Sequence, residues 1–420
     1  MNVRMKNIGI IINALTLSGG GERIAVAYGR EFLRRGYRVS FYTREFDPTT
    51  CFPEEVAGFK VRTLSKEDAH IGSAGKIPLI GRFVHLWREI QCAKKLARLV
   101  ARDEEVLQPH DMWSARVAHY AKKRLPHAVS VFVLNDVHTA SWSLFDDPLF
   151  GGKQKSAWKK PWYWLVDAVD RMHARSQDMI TVLNYRSVPI VKKYLGCKSV
   201  VVRSGVDLEH FPYKARAPLV AGKTINILSH GIFFVHRRYE DIISALALLR
   251  ERGIAARLTI VGDYAYRDVA RAYYQKLLSL IAAQGLQSQV VFTGQLVGRQ
   301  AVGKAYHDSD LYVSATHMQT WGLATFEALA TGLPSIICET VGAAEVLVPD
   351  KYALLIPPGN PAAIASAVTR LISEPSLYQA LGREGAAFVR GALSWEKCAD
   401  EMLTVFESAW KRRNVPSSTP

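Results

Sequence analysis

The first half of the chain alternates short apolar runs with amphipathic segments. NIGIIINAL (7–15) predicts a buried strand, GGGERIAVAYGREFLRRG (19–36) a turn and a helix, and YRVSFYTR (37–44) a second strand. Further strands are predicted at SVFVLN (130–135) and SVVVRSGVD (199–207). Strands that alternate with helices indicate a parallel sheet covered by helices.

A second alternation begins at TINILSHG (224–231) and continues to PSIICE (334–339). Between the two halves, residues 208–223 contain two prolines and no periodicity, which is typical of a linker. The pattern predicts an α/β protein with two tandem, doubly wound, Rossmann-like domains, at residues 1–207 and 224–392, with a ligand cleft between them. Residues 393–420 are expected to form a C-terminal helix, for which packing on the first domain is one option, and a tail.

Composition supports this reading. The chain has 420 residues, of which 49% are hydrophobic and 22% charged, and these values are typical of globular proteins. No apolar run approaches the roughly 20 residues of a membrane-spanning helix. The apolar start resembles a signal peptide faintly, but Asn13 interrupts it and a glycine-rich turn follows, which favours a strand. Five scattered cysteines without a C-x-x-C pair favour reduced thiols in the cytoplasm over disulfides or a zinc site.

A net charge of +16 predicts anionic partners: nucleotide phosphates, phospholipid head groups or nucleic acid. The sequence shows no zinc-finger or RNA-binding strand signature, so nucleic acid is the weakest of the three.

Two segments could hold a phosphate. Gly19, Gly20 and Gly21 stand between a predicted strand and a predicted helix, where free amides and the helix dipole favour an anion. The G-x-G-x-x-G and G-K-[S/T] spacings are absent, so a plain tight turn is equally open. Arg237 and Arg238 lie at the entrance to a helix and are suited to clamp a diphosphate, although a solvated basic turn is the alternative.

Glu327 lies near the start of a helix with the sequence LATFEALATGLP (323–334). A carboxylate there can stabilise the helix terminus, or its two oxygens can accept hydrogen bonds from adjacent ribose hydroxyls. Position and residue type leave both interpretations open.

An ordered series of segments carries a resemblance. LTIVGD, VVFTGQLV, YHDSDLYVSAT, WGLATFEALATGLPSIICETVGAAEVL and ALLIPPGNPAAIASAV, together with SGGGERIAVAYGREFLRRGYRV near the start, resemble family 4 of the retaining nucleotide-sugar glycosyltransferases, which have the two-domain GT-B fold. Residues 51–160 match weakly. The resemblance implies transfer of a sugar, with retention of configuration, from a nucleoside diphosphate donor without a cofactor or a required metal.

The signature of this family is two glutamates separated by seven residues. The second corresponds to Glu327, which the resemblance assigns to the donor ribose, and the first position holds Gln319. Glutamine keeps an acceptor oxygen but removes the negative charge, so support for an oxocarbenium-like transition state is expected to be weaker. A non-catalytic nucleotide-sugar-binding protein is therefore one alternative. The resemblance also implies backbone contacts with sugar and phosphates from Trp321, Gly322, Leu323 and Ala324.

The resemblance assigns the diphosphate to Arg237, with Arg238 beside it, since Ile232 replaces the arginine that the family usually has after the glycine. Some relatives present a histidine near the anomeric carbon, and His138 is the loose match, with Asn135 or Asp136 as alternatives. The predicted catalytic residues are thus Gln319, His138 and Arg237.

Aromatic and basic residues are interleaved in residues 81–102 and 153–166. Such patterns suit adsorption to an anionic bilayer, although a core-packed helix with a basic outer face explains the first stretch equally well. The expectation is a cytoplasmic enzyme, peripheral on the inner face of the membrane, that transfers sugar to a lipid-linked or glycan acceptor. An epimerase or hydrolase of the same fold is the rival enzyme.

Overall fold

A computed structural model describes residues 5–16, 19–71, 78–136, 160–265 and 267–414. These residues form two compact units. Unit 1 contains the described residues up to 203 together with those from Trp395 onward, and unit 2 contains residues 204–394. Each unit is built around one parallel sheet.

The sheet of unit 1 has seven described strands in the order β3-β2-β1-β4-β5-β6-β7, and every neighbouring pair is parallel. β1 lies inside the sheet, and Ile8, Ile10 and Ile11 are fully buried, as expected of a strand covered on both faces. The strands are β1 (Asn7–Leu15), β2 (Arg38–Phe46), β3 (Lys60–Thr63), β4 (Val106–Pro109), β5 (Val129–Leu134), β6 (Met179–Val182) and β7 (Val200–Val201).

Helices connect these strands. α1 begins directly after the glycine turn, and α5 is capped by the Asp111 carboxylate, which accepts a hydrogen bond from the Ser114 amide at 2.8 Å. The helices up to residue 203 are α1 (Gly20–Arg34), α2 (Pro53–Val56), α3 (Lys66–Ala69), α4 (Pro78–Leu99), α5 (Met112–Lys122), α6 (Lys160–Arg175) and α7 (Ser187–Leu195).

The sheet of unit 2 has six described strands in the order β10-β9-β8-β11-β12-β13, again all parallel. The central strand β8 pairs with β9 on one side and β11 on the other, so the direction of winding reverses there. In open parallel sheets, ligands bind beyond the carboxyl ends of the strands at this reversal. The strands are β8 (Ile225–His230), β9 (Ala256–Val261), β10 (Val290–Gly294), β11 (Leu311–Ser314), β12 (Ser335–Cys338) and β13 (Leu354–Ile356).

The helices of unit 2 cover both faces of this sheet and enclose a core of aliphatic and tyrosine side chains. Two short 3₁₀ turns, Val235–Arg237 and Gly342–Glu345, follow β8 and β12. The helices are α8 (Tyr239–Glu251), α9 (Asp268–Ala283), α10 (Arg299–His307), α11 (Leu323–Ala330), α12 (Pro361–Ser373) and α13 (Pro375–Ala392). The predicted fold class, α/β with two doubly wound sheets, is confirmed.

The last helix, α14 (Trp395–Asn414), follows unit 2 in sequence but packs in unit 1. The Trp395 ring contacts Tyr28 on α1 with centroids 5.6 Å apart, and Phe406 contacts Phe32 at 5.5 Å. In the described parts of the chain, no helix combines the length and apolarity that crossing a bilayer requires.

Candidate functional site

The loops that follow β8 and β9 in unit 2 approach each other very closely. Gly262 has a φ of +153°, and a Cβ atom built on it would lie 2.0 Å from the carbonyl oxygen of Gly231. The Tyr239 hydroxyl donates a hydrogen bond to the same oxygen at 2.9 Å. The backbone of Gly231 is therefore fixed at the carboxyl end of the central strand.

Arg237 lies over this glycine. A Cβ atom on Gly231 would lie 2.9 Å from the Arg237 guanidinium carbon, so only glycine permits this position of the guanidinium. The Nε atom of Arg237 is buried without a hydrogen-bond partner, and within the described residues no carboxylate pairs with its guanidinium. Arg237 is thus a cation at the strand end with its charge uncompensated.

Arg238 differs from Arg237 although it is the next residue. Its backbone is left-handed, with a φ of +54°, and its guanidinium binds the Asp241 carboxylate at 2.8 and 3.0 Å and the Glu240 carboxylate at 3.0 Å. These carboxylates compensate the positive charge of Arg238 at the start of α8. The structure therefore brings Arg237 to the site and commits Arg238 to the helix terminus.

Glu327 lies on the second turn of α11, and its side chain is 15% exposed. The Tyr306 hydroxyl donates to Glu327 Oε2 at 3.2 Å, and the same oxygen lies 4.0 Å from His230 Nδ1. Glu327 and Arg237 both act electrostatically on His230, which is the last residue of β8. The candidate site therefore has an anion-binding side and a hydroxyl-binding side.

His230 and Tyr306 are functional candidates that the sequence interpretation missed. His230 Nδ1 lies 2.8 Å from the Tyr306 hydroxyl oxygen. Burial lowers the pKa of His230, Glu327 opposes this effect, and Arg237 adds to it. Burial and the nearby Glu327 raise the pKa of Tyr306 well above its usual value. The sequence offered only a weak signal, a titratable residue at the end of a predicted strand.

The loop before α11 holds the other predicted donor contacts. Gly322 precedes the helix with a φ of +98°, and the Gln319 side-chain oxygen lies 3.3 Å from where a Cβ atom on Gly322 would be. Trp321 is buried against Phe326, with ring centroids 4.7 Å apart. The amides of Leu323 and Ala324 lie in the first turn, where N–H groups lack intrahelical acceptors and the dipole favours an anion.

The glycine turn of unit 1 contains a protein carboxylate. Gly19 precedes α1 and Gly20 begins it, and the Glu22 carboxylate folds back over Gly19. Burial raises the pKa of Glu22, its own backbone amide lowers it, and Asp111 raises it. A phosphate at this turn would have to displace or neutralise Glu22, a requirement that the sequence pattern did not indicate.

The histidine predicted near the anomeric carbon, His138, lies outside the described residues. Of its alternatives, Asn135 follows β5, and its side-chain nitrogen lies 3.8 Å from a Cβ position built on Gly21. That nitrogen also donates to the His110 carbonyl at 3.4 Å. The structure thus brings Asn135 to the glycine turn of unit 1.

Known proteins resemble the chain both in sequence and in structure. Residues 213–388 match the family described as Glycosyl transferases group 1. A GDP-mannose-dependent alpha-(1-6)-phosphatidylinositol dimannoside mannosyltransferase from Mycobacterium tuberculosis is 31% identical over 210 residues, which are 49% of this chain and 51% of the relative. A GDP-mannose-dependent alpha-mannosyltransferase from the same species is 27% identical over 262 residues, covering 61% and 62%. The chain thus spans about half to three fifths of the length of such curated relatives.

Solved structures match almost the whole chain. A glycosyltransferase from Rickettsia africae superposes with a TM-score of 0.72 at 15% identity, covering 97% of this chain and 99% of that one. Anabaena Alr3699/HepE, solved with UDP and glucose, gives 0.72 at 14% identity, covering 96% and 100%. The architecture is therefore that of the GT-B glycosyltransferases.

The match to the Glycosyl transferases group 1 family lies within unit 2. The predicted resemblance to nucleotide-sugar glycosyltransferases of the GT-B type is thereby confirmed, and the relatives support placing the chain among the transferase enzymes.

Proposed function

We propose that the protein transfers a sugar, with retention of configuration, from a nucleoside diphosphate sugar to a lipid-linked or glycan acceptor. One observation carries the proposal: the uncompensated Arg237 guanidinium and the Glu327 carboxylate both act electrostatically on His230 at the carboxyl end of β8. This pair suits a nucleotide sugar, because a guanidinium binds the diphosphate and a carboxylate accepts hydrogen bonds from the ribose hydroxyls.

In the proposed complex, Arg237 and the first amides of α11 bind the diphosphate, and Glu327 accepts hydrogen bonds from the ribose hydroxyls. The Tyr306 hydroxyl donates to Glu327 Oε2 and thereby helps to orient the carboxylate. The bond between the anomeric carbon and the diphosphate oxygen breaks, and the acceptor hydroxyl bonds to the same face of the sugar. The hydroxyl proton passes to the departing diphosphate, whose charge Arg237 and the amides stabilise without a metal or a cofactor.

Gln319 is proposed to position hydroxyls of the transferred sugar. Its side-chain oxygen lies beside Gly322, at the start of the helix that carries Glu327. A neutral amide there gives less help to a positively charged transition state than a carboxylate would. This substitution favours the second candidate function, a nucleotide-sugar-binding protein without turnover.

The proposed location is the inner face of a membrane, reached by adsorption of unit 1. Phe83 and Trp87 on α4 are 52% and 60% exposed, and Trp164 on α6 is 67% exposed. The Phe83 ring meets Trp162 with centroids 4.8 Å apart, which joins the aromatic groups of the two helices into one ridge. Lysines 153, 155 and 159 of the second predicted stretch lie outside the described residues.

Flotation with vesicles tests the location. Vesicles of phosphatidylcholine with phosphatidylglycerol should capture the protein at low salt, since each basic residue near an anionic surface contributes roughly 1 kcal/mol. Replacing Trp87 and Trp164 by serine should release it, whereas the matched change Val297→Ser, at an exposed apolar position of unit 2, should not. Equal flotation of both variants, or none by the wild type, would refute adsorption through the ridge.

Donor and activity are tested together. The probes are GDP-mannose, which the names of the similar mannosyltransferases print, and UDP-glucose, which is bound in a similar solved structure. Each is first titrated into the protein by calorimetry. Each is then incubated with the protein and a bacterial lipid extract. Donor consumption that depends on the extract supports transfer. Consumption without acceptor supports an epimerase or hydrolase, and binding without consumption supports the non-catalytic protein. Absence of binding by both donors would count against the donor assignment.

A further inference from the structure

His230 occupies a position that the proposed function leaves without a role. It is the last residue of β8, it is adjacent to Gly231, and its side chain is 26% exposed. Its Nδ1 atom faces the Tyr306 hydroxyl, whereas Nε2 has no hydrogen-bond partner in the described chain. Nε2 is therefore available to a ligand at the strand end.

The hydrogen-bond partners of Tyr306 determine which nitrogen of His230 carries the proton. The hydroxyl has one hydrogen, and two oxygens that only accept lie 3.2 Å away, the Ala324 carbonyl and Glu327 Oε2. If the hydroxyl donated to His230 instead, its oxygen lone pairs would face both acceptors. The hydroxyl therefore donates to an oxygen, and His230 donates from Nδ1–H to the hydroxyl at 2.8 Å.

This tautomer leaves a lone pair on Nε2 of the neutral ring. The ring faces three groups that carry or influence charge, namely Arg237, Glu327 and Tyr306. Burial and Arg237 keep the pKa of His230 below its usual value, whereas Glu327 works in the opposite direction. In the free protein at neutral pH, the ring is accordingly neutral, and its lone pair would repel a phosphate oxygen.

A bound diphosphate reverses this balance. It brings negative charge beside His230 and pairs with Arg237, so the cation that opposed protonation is compensated. We infer that His230 takes up a proton when the diphosphate of the donor binds, and that the imidazolium then donates a hydrogen bond from Nε2 to this anion. His230 thus becomes a second cation of the site, present only while the anion is there. The inference rests on the proposed function.

A charge acquired in this way has a use in the reaction. Negative charge on the diphosphate grows as the glycosidic bond breaks, and a charged donor at Nε2 stabilises it more than a neutral group does. In the free protein, two adjacent uncompensated cations at one strand end would repel each other. Because His230 is protonated only when the diphosphate binds, the free protein avoids this repulsion, and in the complex the diphosphate compensates both positive charges.

Calorimetry measures the effect directly. GDP-mannose and UDP-glucose are suitable probes because a diphosphate esterified at both ends has no group that titrates near neutral pH. Binding enthalpies measured at pH 6.5 in buffers of different ionisation enthalpy give the number of protons taken up. We expect about half a proton to one proton for the wild type and none for His230→Gln, which keeps a polar group near the Nε2 position. The matched control His307→Gln, which removes a histidine of α10, should retain the uptake.

Affinity adds a second readout. Because the pKa of His230 is expected to be higher in the complex than in the free protein, the wild type should bind the donor more tightly as the pH falls towards the pKa of the complex. His230→Gln should bind roughly tenfold more weakly than the wild type at pH 6 and within about twofold of it at pH 8, tenfold corresponding to 1.4 kcal/mol. Equal loss at both pH values, or unchanged proton uptake by His230→Gln, would overturn the inference while leaving the proposed function intact. Failure of both donors to bind the wild type would overturn both.

Discussion

Replacing Glu327 by alanine tests the hydroxyl-binding side of the site. The proposed carboxylate accepts two ribose hydroxyls, and hydrogen bonds to a charged group contribute about 1.5–3 kcal/mol each. Because the freed hydroxyls regain water in the variant, we expect a net loss of about 2–4 kcal/mol. This corresponds to roughly 30-fold to 1000-fold weaker donor binding, since 1.4 kcal/mol is tenfold.

The fold should tolerate this change. Removal of the carboxylate leaves the Tyr306 hydroxyl with the Ala324 carbonyl at 3.2 Å and His230 at 2.8 Å, so this buried hydroxyl keeps hydrogen-bond partners. The free energy of unfolding should therefore fall by only about 1 kcal/mol.

Calorimetric titration with GDP-mannose and UDP-glucose, alongside urea unfolding, separates the two effects. Glu327→Gln retains one acceptor oxygen and should lie between wild type and Glu327→Ala in affinity. Glu251→Ala, at an exposed position of α8, is the matched control and should bind normally. Unchanged affinity in a folded Glu327→Ala protein would refute the assignment of this carboxylate to the donor.

Three other changes test separate parts of the structure. Gln319→Glu should raise the transfer rate if the missing charge limits the reaction, and an unchanged kcat in steady-state assays would show that it does not. Gly262→Ala should lower the free energy of unfolding, measured in urea, by about 3 kcal/mol or more, because the new Cβ collides with the Gly231 carbonyl. The control Gly298→Ala, at a φ of +84° in open space, measures the cost of the backbone conformation alone and should lower this free energy by less. Burial lowers the pKa of His110 to about 3, so only the unfolded chain binds this proton between pH 6.5 and 3, and stability falls as pH falls through that window. Between pH 7.5 and 5 this contribution is about 2 kcal/mol, and a His110→Gln variant whose stability falls as steeply as that of the wild type would contradict it.

The sheets could be predicted because a strand buried on both faces is a continuous apolar run. Ile8, Ile10 and Ile11 form such a run, and the structure buries all three inside the first sheet. The position of Glu327 near the strand ends could also be predicted, since the segment LATFEALATGLP begins a helix after a strand.

The family resemblance selected Arg237 over Arg238, but the two residue types alone could not, because the choice between adjacent arginines depends on backbone geometry. The left-handed conformation of Arg238 turns its side chain to Asp241, and the absence of a side chain on Gly231 admits Arg237. Neither the φ angle nor the identity of the carboxylate partner is encoded in the spacing of two basic residues.

The role of Glu22 was hidden for a similar reason. A glycine turn before a helix is compatible with a phosphate, and only the side-chain rotamer shows that a carboxylate of the same turn folds over Gly19. His230 was missed because a polar residue at the end of a strand has no distinctive sequence context. Its relation to Tyr306 joins positions 76 residues apart in sequence.

The placement of α14 in unit 1 has a consequence for biosynthesis. Trp395 and Phe406 cover Tyr28 and Phe32, yet the ribosome must synthesise all of residues 204–394 between them. At about 5–20 residues per second, this delay lasts roughly 10–40 s. During that interval Tyr28 and Phe32 lack their partners from α14, so the packing of unit 1 is completed only after unit 2 has been synthesised.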